Sequence, residues 1–72
     1  MIEWIERDSS FIEAIAYEAE AEVIYLRFKD GGVEWAYEYC SAEEWEQLND
    51  PEQSAGKYFH AVLKHKPNHR SN

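Results

Sequence analysis

The sequence predicts an α+β domain: a small antiparallel β-meander of three to four strands, followed by two helices packed on one face. Three observations carry this. The stretch Val23–Tyr39 reads as two strands around Asp30-Gly31-Gly32, and glycine enters the positive backbone angles of a hairpin turn without steric penalty. Its flanks are rich in β-branched and aromatic residues, which suit a pleated, half-buried surface. After Tyr39 the apolar period changes from two to three and four, the signature of amphipathic helix. Strands in the first part and helices in the second indicate α+β architecture.

Within the hairpin, Ile24, Leu26 and Phe28 share one face. Val33, Trp35, Tyr37 and Tyr39 share the corresponding face of the next strand, with Glu34, Ala36 and Glu38 opposite, because strand side chains alternate. Upstream, residues 1–7 alternate as a short edge strand, and Asp8-Ser9-Ser10 supplies polar side chains for a turn or cap. By propensity alone residues 11–22 would be a helix, although their apolar spacing also admits a strand. Ile12, Ile15 and Ala16 suit a helix, as does the Ala19-Glu20-Ala21-Glu22 run, while Ile15 with Tyr17, or Ile12 with Ala14 and Ala16, suits a strand.

Ser41-Ala42-Glu43-Glu44 matches a capping box, and Trp45 and Leu48 then share a helix face. That helix ends at Asn49-Asp50-Pro51, because proline disfavours helix in the residue before it. Ser54 caps a second helix, whose apolar stripe runs through Ala55, Tyr58, Phe59, Val62 and Lys66 or Leu63 until Pro67 stops it. Residues 1–66 therefore form a single domain, and residues 67–72 are expected to be a frayed basic tail.

A chain of 72 residues buries only about 60% of its unfolded surface, which leaves little room for a deep catalytic cavity. Residues 1–56 hold all fifteen acids against three bases, a net −12, while residues 57–72 hold four bases and no acid, a net +4. One cysteine, Cys40, cannot form an internal disulfide. No apolar run approaches the roughly 20 residues needed to cross a bilayer, and the start lacks the features of a signal peptide. The expected setting is the cytoplasm.

From about Asp8 to Lys66 the chain resembles the KTSC domain, a module found at the C-terminus of some lysyl-tRNA synthetases and as small free-standing bacterial proteins. The resemblance rests on Ser9-Ser10, Ile12, Ile15-Ala16-Tyr17, Phe28, Gly32-Val33, Glu43-Glu44-Trp45 and Ser54-Ala55-Gly56-Lys57-Tyr58-Phe59. The last run is the most specific. A central tyrosine pair of the family fits Tyr37-Glu38-Tyr39 literally, and Trp35-Ala36-Tyr37 better by spacing to the first helix. Departures are Ala16 for a glycine, Ser41 for a proline and His60 for an asparagine. The resemblance implies that residues 11–18 are a strand followed by a turn near Glu18–Glu22. It implies no established activity, although the synthetase context has suggested RNA binding.

No motif ties a catalytic set together. Ser9 or Ser10 with His60 and Asp8, or Cys40 with His60, can be assembled on paper, and capping accounts for the serines. His65 and His69 stand four apart, but Pro67 between them breaks the helical geometry a metal would need. No enzyme activity, cofactor or metal is expected. Two binding readings remain. The favoured one is protein–protein interaction through an acidic sheet face carrying Glu34, Glu38 and, depending on register, Glu13. The alternative is RNA binding through Lys57, Tyr58, Lys64, Lys66 and Arg70, which the −12 body opposes. Solvation of the surface explains each of these residues taken singly.

Overall fold

The central hairpin forms as its residues require. The computed structural model describes residues 2–7 and 9–71. The expected parts of Met1 in the first strand, Asp8 in the polar turn and Asn72 in the tail lie outside the described residues. Strands β1 (Ile5–Glu6), β2 (Ile12–Glu18), β3 (Val23–Phe28), β4 (Glu34–Tyr37) and β5 (Asn68–Arg70) make one antiparallel sheet in the order β1-β2-β3-β4-β5. Helices α1 (Ala42–Asn49) and α2 (Ala55–Ala61) stand between β4 and β5, followed by a 3-10 turn at Leu63–His65.

At the β3–β4 turn both glycines take left-handed angles, Gly31 at φ 75° and Gly32 at φ 66°. Pairing sets Leu26 against Trp35 and Ile24 against Tyr37, so the two apolar faces merge. The strand stops at Tyr37, two residues short of expectation. Tyr39 has φ 60° and is 71% exposed, so it leaves the apolar row. The chain reverses there and buries Cys40, whose amide donates to the Glu22 carbonyl at 2.7 Å.

Residues 12–18 are strand. The register slips between Ile12, which faces Phe28, and Ala14, which faces Arg27. This bulge spends one extra residue, Glu13, and so places Ile12, Ile15 and Tyr17 on one face. The Ile12–Ile15 spacing that imitates a helix is the trace of that bulge.

The core lies between the sheet and the helices. Ile12, Ile15, Ile24, Leu26, Leu48 and Leu63 are fully buried, each contributing about 1.5–3 kcal/mol of burial free energy. Phe59 of α2 meets Phe11, Phe28 and Tyr37 edge-on at 5.7–5.9 Å between ring centroids. Tyr17 stacks on Trp45 of α1 at 5.4 Å. The capping box forms in both directions: the Glu44 amide donates to Ser41 Oγ, and the Ser41 amide donates to Glu44 Oε1.

The C-terminal part departs from expectation. α2 ends at Ala61 instead of continuing to Pro67, because Val62 leaves helical angles and Leu63 turns inward to full burial. Residues 68–70 are not frayed; they pair with β4 as a fifth strand, Trp35 opposite Arg70 and Tyr37 opposite Asn68. Pro67, beyond the end of the 3-10 turn, delivers the chain to the open edge of β4, its carbonyl accepting from the Glu38 amide.

Candidate functional site

Two surfaces bring chemistry-bearing residues together: the sheet face turned away from the helices, and a cleft beside α2.

On the outer sheet face, the register aligns Ala14, Arg27 and Glu34 in one row and Ala16, Tyr25, Ala36 and His69 in the next. Glu6, opposite Ala14, and Glu18, two residues beyond Ala16, belong to the same face. Glu34 Oε2 lies 2.9 Å from Arg27 Nε, and Glu13 Oε2 lies 3.6 Å from the same guanidinium. The bulge brings Glu13 to this side. Glu38 stands past the end of β4, 4.0 Å from His69 Nδ1. The three acids named from sequence therefore do share a face, but two of them converge on Arg27. Sequence reasoning counted Arg27 only as charge and missed its partner Trp4. The guanidinium lies 4.3 Å from the Trp4 ring centroid, and that ring also meets Tyr25 edge-on. Ala14, Ala16 and Ala36 are buried beneath this layer.

The basic set proposed for RNA is split. Lys66 Nζ is held by Glu44 Oε2 at 2.7 Å and by the Tyr39 carbonyl at 2.6 Å. Burial alone would raise the Glu44 carboxyl. The Lys66 ammonium and the Ser41 amide outweigh it and hold Glu44 below the ordinary range. Tyr58 is half-buried against the core, and burial, with Glu44 next, pushes its hydroxyl up. Arg70 lies on β5, while Lys57 and Lys64 are exposed on α2 and the 3-10 turn.

The cleft, about 600 Å³, opens between the Ser9–Phe11 turn and the face of α2 that carries Lys57, His60 and Ala61. Ser9, Ser10 and Ser54 complete its lining with Phe11 and Gly56. Ser9 Oγ accepts from the Ile12 amide at 3.4 Å, and Ser54 Oγ accepts from the Lys57 amide at 3.2 Å. Phe11 packs against His60 at 5.5 Å and against Phe59. Gly56 is required by that packing: a Cβ there would lie 2.8 Å from Phe11 Cε1. So the serines and the Ser54–Phe59 run, far apart in sequence, build one place. Ser9, Ser10 and His60 all line this cleft, whereas Asp8 lies outside the described residues.

The other reactive groups are elsewhere. Cys40 is fully buried, its thiol donating to the Tyr37 carbonyl at 3.3 Å, and burial pushes its pKa up, which suits a structural cysteine. His65 lies in the 3-10 turn and His69 on β5. Among the described residues no helix is long and apolar enough to cross a membrane.

A five-stranded antiparallel sheet with two helices on one face defines a small α+β module, and its sequence places it in a known family. The KTSC domain model matches residues 8–66, and the chain belongs to that family. The crystal structure of a KTSC domain protein from Yersinia pestis is similar over 100% of both chains, with a TM-score of 0.90 and 18% identity; this likeness shows the fold. No curated protein matches the chain. Trp35 and Tyr37 both pack on the core, whereas Tyr39 is exposed.

Proposed function

We propose that this chain is a small binding module, acting in the cytoplasm, that docks a basic protein surface on its outer sheet face. One observation carries the reading. Both helices pack on the opposite side, leaving a face with five glutamates (Glu6, Glu13, Glu18, Glu34 and Glu38) against the single arginine Arg27. Such a surplus steers and orients a cationic partner more than it sets raw affinity. The Trp4–Arg27–Tyr25 layer adds a flat aromatic element, the kind of residue that anchors protein interfaces. The role is binding and not catalysis. RNA binding has weaker support, because Lys66 is already engaged by Glu44 and the other cations are spread over three elements.

The test is affinity capture from native cells with nuclease present, comparing wild type with a Glu13→Lys, Glu38→Lys double variant. Both side chains are close to half exposed, so the fold should survive, checked by near-UV circular dichroism. The expected result is a nuclease-resistant protein partner, weakened by salt and lost in the double variant. Retention of the same partner by the folded double variant would overturn the reading, as would enrichment of RNA alone.

A further inference from the structure

The cleft beside α2 plays no part in docking on the sheet face, and its chemistry is different. We propose that it is a binding site for a small aromatic anion, a free molecule carrying a carboxylate or phosphate on a flat apolar body.

The donor set makes the argument. Ser9 Oγ and Ser54 Oγ each accept from a backbone amide. A hydroxyl has one proton to give and two lone pairs, so each keeps its own O–H for an outside acceptor. The Ser10 hydroxyl and the Lys57 ammonium have no hydrogen bond or ion pair among the described residues. His60 adds an imidazole at the rim. The described lining thus offers three hydroxyls, an ammonium and an imidazole, and no carboxylate, within a chain of net charge −8. An acceptor-only group of negative charge complements that set, since charge-assisted hydrogen bonds are the strong ones.

The flat body follows from the wall. Phe11 is held between Phe28, Phe59 and His60, so its ring is a rigid surface. Gly56, packed against the edge of that ring, and Ala61 put no bulky side chain into the cleft beside it. The volume of about 600 Å³ matches a ligand pocket of roughly 300–1,000 Å³. A bare anion would leave the apolar wall unused, and a neutral aromatic would leave the donors unpaired.

The test is a backbone-amide NMR titration of the full chain with phenyl phosphate, benzoate, benzyl alcohol and inorganic phosphate. Saturable shifts confined to residues 9–12 and 54–61 are expected with phenyl phosphate or benzoate. Affinity should be at least about tenfold weaker for benzyl alcohol, which loses the charged contact, and for inorganic phosphate, which loses the burial of the ring against Phe11. Comparing the two anionic aromatics tells carboxylate from phosphate. Lys57→Gln and Ser10→Ala, both at exposed positions, should each weaken binding about fivefold or more on the same grounds. Lys64→Gln, outside the cleft, should leave it unchanged. The proposal falls if no probe shifts these amides saturably, if benzyl alcohol or inorganic phosphate binds as well as the aromatic anions, or if Lys57→Gln binds like wild type.

Discussion

Replacing Gly56 with alanine tests whether the Phe11 ring dictates the glycine. Alanine in a helix normally stabilises relative to glycine, by about 0.4–1 kcal/mol at a compatible site. Here the new Cβ meets Phe11 Cε1 at 2.8 Å and Cζ at 3.3 Å. A free ring would swing aside. This ring stacks on Phe28 at 6.1 Å, meets Phe59 edge-on at 5.9 Å and touches His60 at 5.5 Å, so yielding disturbs the whole aromatic group. Forcing an extra carbon into such packing costs about 1–3 kcal/mol. The balance is a net loss of about 1–2 kcal/mol, or a Tm lower by about 5–15 °C for a domain of this size. Thermal unfolding followed by circular dichroism reads it. Phe11→Leu supplies the decisive comparison, because it removes the atoms the Cβ meets. In that background Gly56→Ala should become neutral or stabilising, a reversal of sign that only a direct contact produces. Gly56→Ala that raises Tm in the wild-type background, or costs the same in both, would refute the reasoning.

Two further perturbations address the joints of the fold. Arg7 donates to the Asn49 and Asp50 carbonyls at 2.9 and 3.2 Å and to the Gln53 carbonyl at 3.3 Å, tying the N-terminal segment to the end of α1, whose last carbonyls lack intrahelical partners, and to the loop that follows it. Arg7→Ala should lower stability by about 1–2 kcal/mol, seen as a lower urea midpoint with unchanged slope, and Arg7→Lys should recover only part because it lacks the planar fork. For the Glu44–Lys66 pair, the folded carboxyl lies below its ordinary 4.5, so the unfolded chain takes up its proton first on acidification. The pair's contribution is complete above the ordinary value and disappears as pH falls through the folded pKa. Glu44→Gln keeps a capping acceptor and loses the charge. Its stability should therefore fall less steeply than wild type between about pH 5 and about pH 3, and parallel slopes would show that the pair carries no such linkage.

Much of the architecture was legible because it is local. The Asp30-Gly31-Gly32 turn, the Ser41 capping box, the Ser54 cap and the apolar rows of β3 and α1 depend on residues a few positions apart. The motif resemblance added what local pattern left open, that residues 12–18 are strand. The bulge explains why pattern alone could not decide: it converts a period of two into a spacing of three. The candidate sites were less legible. Glu34 and Glu38 could be assigned to one face, with Glu13 left to the register, but not the convergence of Glu13 and Glu34 on Arg27, which needs three strands in register. Likewise Ser9, Ser10 and His60 could be listed together, but not seen to share a cleft with Lys57.

The sequence by itself determined the hairpin, the helix caps, the acidic balance and, through its motifs, the family. These follow from backbone preferences and composition, which act over a few residues or over none. The tertiary structure decided what the ends of the chain do. Asn68–Arg70 is a polar segment after a proline, with no apolar alternation to mark it as a strand. It becomes one because β4 presents an unpaired edge that demands hydrogen-bond partners. Trp4 and Arg7 are likewise placed by distant groups, the Arg27 guanidinium and the last carbonyls of α1. Both of those are set by the folded sheet and helix, and no pattern near the N-terminus encodes where they stand.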